Sequence, residues 1–128
     1  MALGPCVWAV MCFALGLPIN IALPWQVLLS GVLLYPLLEE LAFRGFVQTW
    51  LLERQQFKGM LFAKLSIANV VTSVLFAALH LIHQPPLWAA SVFFPSLVFG
   101  YLRERYDSVI ASVVVHAWYN FGFLLLFR

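Results

Sequence analysis

Long uncharged stretches dominate the pattern of this chain. No Asp, Glu, Lys or Arg occurs in residues 1–38, 65–102 or 108–127. An α-helix rises about 1.5 Å per residue and the hydrocarbon core of a bilayer is about 30 Å thick, so roughly twenty apolar residues cross it once. The first two stretches therefore hold about two crossings each, and each must contain a turn. Leu17-Pro18-Ile19-Asn20 is the turn in the first, with Pro24 opening the next helix. In the second it is His83-Gln84-Pro85-Pro86, because two successive prolines cannot continue a helix. The pattern predicts helices at about 4–17, 24–52, 64–82, 87–102 and 108–127. That is an all-α integral membrane protein, a bundle of about five transmembrane helices in one domain over residues 1–128. The second helix is too long for one upright crossing, and Pro36 is expected to kink it. Charged loops fall at 53–64 and 103–107.

Composition agrees. Hydrophobic residues make up 64% of the 128 and charged residues only 9%, against about 25% charged in a soluble domain. A globule this small could not hide so much apolar surface from water. Soluble enzymes and disordered chains are excluded, and the seven Lys and Arg, at a net charge of +2, are too few for a nucleic-acid interface. Cys6 and Cys12 lie in the first apolar stretch and read as small membrane-core residues rather than a disulfide or metal pair. The N-terminus lacks a basic start and a cleavage site, so it is expected to be a membrane helix rather than a signal peptide. Arg54, Lys58, Lys64, Arg103 and Arg105 fall on one side of this arrangement and Arg128 on the other. The positive-inside rule then puts both charged loops in the cytoplasm.

Ionisable groups inside a bilayer are costly, by about 2.5–3.5 kcal/mol on insertion scales, and persist where the bundle interior needs them. Three helices carry such groups at helical spacing. Glu40 and Arg44 are four apart and can pair on one face. Glu39, turned about 100° from Glu40, has no partner on its own helix. Asn69, Ser73, Phe76 and His80 fall within about 60° of one another, and Ser108, Ser112, His116 and Asn120 recur at four-residue steps as a polar stripe on an otherwise apolar helix. Structure alone can account for part of this: a buried pair at Glu40 and Arg44, interhelical glue from the serines, close packing at Ser96 and Gly100. It accounts less well for Glu39, His116 and Asn120.

A carboxylate, two imidazoles and an amide from three helices can hydrolyse a peptide bond. Such a reaction needs a base for water, donors for the oxyanion and a proton for the leaving amine. Glu39 is the natural base, His80 can hold the water, and His116 with Asn120 can serve as oxyanion donors. A serine nucleophile is disfavoured, since no Gly-x-Ser-x-Gly elbow is present. Zinc on Glu39, His80 and His116 is the alternative, because Glu with two His is a catalytic ligand set. His-Glu-x-x-His is absent, however, and a ligating Glu39 would leave the base role vacant. A site without a cofactor is the favoured reading.

The ordered trio Glu39-Glu40-x-x-x-Arg44, Phe76-x-x-x-His80 and His116-x-x-x-Asn120 resembles the CPBP (Abi) family of intramembrane proteases, which includes CAAX prenyl endopeptidases. The resemblance covers about residues 25–127 and is strengthened by Phe43-Arg44-Gly45. It implies a glutamic endopeptidase in which Glu39 and His80 activate water and His116 and Asn120 form the oxyanion hole. Glu40, Arg44 and Phe76 would support the site. It also implies a membrane-associated or C-terminally processed protein or peptide as substrate and, for a short bacterial-type member, the inner membrane. Family descriptions as metalloproteases keep zinc as an alternative. A non-catalytic membrane partner or immunity protein, and an ion pathway, are the competing classes. In upright helices, Glu39 would lie near mid-membrane, His80 near the non-cytoplasmic face and His116 about 12 Å from its cytoplasmic end. Tilt, the Pro36 kink or a shifted helix boundary must bring them level.

Overall fold

The computed structural model describes residues 23–61 and 64–127. The expected first helix, the turn at Pro18, Cys6 and Cys12 lie outside the described residues. Within them the fold is entirely helical. Helix α1 is Trp25–Leu52, α2 Ile67–His80, α3 Pro86–Ser91, α4 Phe93–Tyr106 and α5 Val109–Phe127. Helix α4 packs against α1, α2 and α5, while α1 also lies along α5 and α2.

The ends of the helices follow local chemistry. Pro24 sits before α1, where a missing N–H costs nothing. Ser66 caps α2, its hydroxyl accepting from the Asn69 N–H at 2.9 Å, so α2 begins three residues later than expected. Its end at His80 and the turn up to Pro85 agree with the Pro-Pro signal. The helix expected over 87–102 is instead two helices that break at Val92. Pro95 is the cause, having no N–H to give the Ser91 carbonyl one turn earlier. Helix α4 also runs on through Arg103 to Tyr106, where a loop is expected. Arg103 holds Asp107 at 2.7 Å, and Asp107 ends the helix in the left-handed region, at φ 47°.

Helix α1 departs from regular winding in two π-helical stretches, Leu29–Leu34 and Leu41–Gln48, on either side of α-helical Tyr35–Glu40. π segments often accompany functional sites because they re-aim side chains along a helix. Pro36 stands in the α-helical part and is fully buried, so no unpaired N–H is buried with it. Pro36 does not end the helix.

Burial is inverted relative to a soluble protein. Among the described residues the buried interior is mostly polar: Glu40, Arg44, Gln48, Ser66, Asn69, Thr72, Ser73, Ser96, Ser112 and His116. Every helix turns large aliphatic or aromatic side chains outward, Leu33, Phe46, Leu79, Leu87, Phe94 and Ile110 among them, while Leu51, Phe76, Phe99 and Leu102 are buried. Lipid tails are as apolar as Leu, so a bundle in lipid is held by close contact and internal hydrogen bonds rather than by hydrophobic burial. The chain is an integral membrane protein. Helix α1 is long and apolar enough to cross a bilayer, and α2 and α5 are shorter apolar helices.

Staggered helix starts bring the three polar stripes level. A Cβ on Gly45 would lie 3.7 Å from Val109 Cγ2, so α5 starts beside Gly45 and not beside Leu52. Counting from that contact, Glu39 and His116 are about 9 and 10 Å deep. Gln48 donates to the Gly100 carbonyl at 3.1 Å, and Asn69 lies against Gly100 as well. From this second level Glu39 and His80 are about 14 and 17 Å away. The depth mismatch expected from upright helices with common starts is thereby removed.

Gly100 fixes that level. The Asn69 amide donates to the Leu97 carbonyl at 3.0 Å and its Oδ1 accepts from Ser73 at 3.2 Å. A Cβ on Gly100 would fall inside this carboxamide. Gly100→Ala is expected to lower stability in detergent by about 1–3 kcal/mol through overpacking. Gly45→Ala, with room for its methyl group, should change unfolding little in the same assay.

Candidate active site

A buried ion pair organises the centre of the bundle. Arg44 Nε lies 3.2 Å from Glu40 Oε2, both side chains being fully buried. The i, i+4 spacing on α1 places them on one face. Arg44 Nη2 donates to both the carbonyl and the hydroxyl of Ser96 on α4, at 2.8 and 2.6 Å. Its guanidinium carbon is 4.8 Å from the centre of the Phe76 ring on α2 and 5.6 Å from that of Phe99 on α4. Both rings offer cation–π contact. Ser96 is therefore more than a small packing residue, since its two oxygens are the anchor for the guanidinium.

Glu40 turns its other oxygen to α5. Its Oε1 accepts from His116 Nδ1 at 2.9 Å. A carboxylate beside Arg44 only accepts, so Nδ1 carries the proton. The imidazole stacks on Phe99, with ring centres 4.7 Å apart and planes 16° apart, and meets the edge of Phe76. These contacts fix the ring in plane and rotation. Its second nitrogen, Nε2, is 3.7 Å from Glu39 Oε2, beyond hydrogen-bond length. Glu39 thus has no partner on its own helix, as the spacing predicts, but it faces His116 across a short gap. Its side chain is 33% exposed.

His80 ends α2. Its Nδ1 lies 2.8 Å from the Phe76 carbonyl. A carbonyl can only accept, so this nitrogen donates, and a neutral ring then keeps Nε2 as an acceptor. Phe76 also holds the ring of His80, centre to centre at 4.6 Å. Asn120, one turn beyond His116 on α5, donates one amide hydrogen to the Gly31 carbonyl of α1 at 2.9 Å. An amide has two such hydrogens, so one is left over.

Glu39, His80, His116 and Asn120 line one cavity of about 420 Å³. The structure brings the four side chains singled out by their spacing together from α1, α2 and α5. Glu40, Arg44 and Phe76 stand immediately behind them. The wall opposite is apolar and aromatic, with Val92, Pro95 and Phe123 among its residues. His116 directs one nitrogen to each glutamate, and no group of three or more His, Cys, Asp or Glu among the described residues is placed to hold a metal ion.

Several contributors are not apparent from spacing. Phe99 is one of twelve phenylalanines and nothing local distinguishes it. Gly31 contributes through its carbonyl. Gln48 does carry a signal, since it extends the four-residue step of Glu40 and Arg44. It is fully buried and joins Glu104 at 2.7 Å, where Ser66 also donates at 2.5 Å. That polar knot ties α1, α4 and the start of α2 below the site.

Comparison with known proteins places these residues in context. A family model described as type II CAAX prenyl endopeptidase Rce1-like matches residues 20–122. Searches of curated proteins and of solved structures give no match.

The two adjacent glutamates should respond differently to loss of charge. Glu40→Gln strands a buried guanidinium, which is expected to cost about 3–5 kcal/mol of stability. Glu39→Gln, at a partly exposed carboxylate with a loose partner, should cost no more than about 1 kcal/mol. Chemical unfolding of the two variants in detergent measures the difference.

Proposed function

The chain belongs to the type II CAAX prenyl endopeptidase Rce1-like family, a family of proteases, and we propose that it hydrolyses a peptide bond within the membrane with Glu39 as general base. The observation that carries this reading is the convergence of Glu39, His80, His116 and Asn120 on one cavity at one depth. Water held between Glu39 and the free Nε2 of His80 loses a proton to Glu39 as it attacks the scissile carbonyl. The carbonyl oxygen gains negative charge and is received by the second amide hydrogen of Asn120 and by His116 Nε2–H. Glu39 then returns its proton to the departing amine. Every proton taken up is given back.

Charge supports the division of labour between the glutamates. Since Glu40 already holds the Nδ1 proton of His116, a hydrogen on Nε2 makes the ring an imidazolium. Together with Arg44 it balances Glu39 and Glu40, so the four groups sum to zero charge in a medium that penalises any excess. When Glu39 takes the water proton, the negative charge moves to the oxyanion beside His116. Glu40 keeps its charge throughout, because Arg44 and His116 both require it.

In this reading the whole of residues 1–128 is one membrane domain. Helices α1, α2 and α5, and α3 with α4 in series, cross the bilayer. The basic segments around Arg54, Lys58 and Lys64 and around Arg103 and Arg105 face the cytoplasm. The substrate is a membrane-associated protein or peptide processed near its C-terminus. No metal takes part.

Purified protein in liposomes should cleave a membrane-anchored reporter, and Glu39→Gln should slow cleavage by about 10²–10⁴-fold, the usual worth of a general base. Asn120→Ala should lower kcat by about 10²–10³-fold, as for loss of one oxyanion donor. Both variants are to retain the unfolding profile of a folded bundle. Full activity in Glu39→Gln would overturn the role of that residue, and cleavage lost on strong chelation and restored by zinc would overturn the metal-free mechanism.

A further inference from the structure

Pro36 takes a donor out of the middle of α1, and one carbonyl feels the loss. A helical carbonyl is served by the N–H four residues on, or five residues on in a π-helical stretch. For Gly31 those residues are Tyr35 and Pro36. The Tyr35 N–H goes to the Ser30 carbonyl, at the close of the π-helical stretch Leu29–Leu34. Pro36 has no N–H to give. The Gly31 carbonyl therefore takes its donor from another helix, the side-chain amide of Asn120 on α5, at 2.9 Å.

The two helices come close at this point. A Cβ on Gly31 would lie 3.1 Å from Leu124 Cδ1, one turn beyond Asn120. Gly31 and Asn120 both line the cavity, whereas Pro36 does not. The second π-helical stretch of α1 behaves otherwise. There the Thr49 hydroxyl donates to the Arg44 carbonyl of its own helix at 2.9 Å, and neither residue lines the cavity.

The oxygen and nitrogen of a carboxamide are alike in shape, and its terminal torsion is broad and roughly two-fold. A free Asn120 would turn either atom to the cavity. An oxygen there repels a developing oxyanion, while an N–H receives it. A backbone carbonyl only accepts, so an unserved carbonyl at Gly31 selects the amide nitrogen and leaves its second hydrogen for the cavity. Resting on the proteolytic reading above, we propose that Pro36 is a positioning residue for Asn120. By withholding an N–H it reserves the Gly31 carbonyl for the Asn120 amide, and so fixes that amide as an oxyanion donor. A buried proline inside a helix, otherwise only a cost, thereby acts on a residue of another helix through one main-chain oxygen.

The test is Pro36→Ala, which returns the missing N–H. In π-helical winding residue 36 then serves Gly31, and in α-helical winding residue 35 does, so Asn120 loses its acceptor either way. One readout is cleavage of a membrane-anchored reporter in liposomes. The other is hydrogen exchange of the isotope-labelled side-chain amides in detergent, where Asn20, Asn69 and Asn120 are the asparagines and Asn120→Ala identifies the signal. Pro36→Ala should lower kcat about tenfold with KM little changed, and speed exchange at Asn120 by a similar factor. In an Asn120→Ala background it should lower kcat no further. An α-hydroxy acid at position 36, joined through an ester and so without an N–H, should keep kcat within about twofold of the parent. Parent-like kcat and exchange in Pro36→Ala overturn the assignment while the protease stands. An equal loss in the Asn120→Ala background overturns it as well, being the mark of a kink that serves folding alone. If Pro36→Ala does not fold, the ester decides: parent-like kcat and exchange support the assignment, and loss of either overturns it. A parent that cuts no reporter overturns the proteolytic reading and this assignment with it.

Discussion

The Glu40–Arg44 pair is the interaction around which the bundle is assembled. In water such a pair would add little, because each ion is solvated before it meets the other. In a lipid-embedded core the alternative to pairing is an unsolvated charge, so the pair and its satellites form together or not at all. Arg44 reaches Ser96 on α4 and the ring of Phe76 on α2, while Glu40 reaches His116 on α5. One ion pair on α1 thus specifies the azimuth of three other helices. Four oxygen and nitrogen contacts do the work that a large apolar core does in a soluble fold, and outward-facing Leu and Phe are left for the lipid.

The same pair places the groups that face the cavity. His116 is held by Glu40 at Nδ1 and by two phenylalanine rings on its faces and edge, so only Nε2 is left to face the cavity. His80 is held by the carbonyl of Phe76 and likewise keeps Nε2. Phe76 touches both histidines and Arg44, which explains why one apolar residue recurs with the polar ones on α2. Adjacent glutamates are separated in environment by the turn of a helix. Glu40 points inward to a cation, and Glu39 points to the cavity.

Much of this was legible from spacing. The 3.6-residue period alone groups Glu40 with Arg44, Phe76 with His80, and His116 with Asn120, because a membrane helix that carries polar groups must turn them all inward. Elements that span a bilayer announce themselves by length. What spacing does not carry is the longitudinal register of one helix against another. That depends on Gly45 meeting Val109 and on Gly100 accommodating the Asn69 side chain, contacts between residues far apart in the chain. The partner of Glu40 at position 116 was hidden for the same reason, as was Phe99. The late start of α2 came from the capping hydroxyl of Ser66, and the extension of α4 from Arg103 binding Asp107. Both are local, yet each competes with charge runs that ordinarily mark loops.

The rods of this bundle are unequal. Trp25–Leu52 has 28 residues, about 42 Å in a regular helix, whereas Ile67–His80 has 14, about 21 Å. A hydrocarbon layer about 30 Å thick matches neither, so the molecule presents a different hydrophobic thickness on different flanks. Lipids beside α1 must stretch or the helix must lean, while those beside α2 must thin. The thinned side is the one where His80 ends its helix. Mismatch of this kind draws headgroups and their water inward, so in the proteolytic reading the membrane itself would be part of the route by which solvent reaches the imidazole.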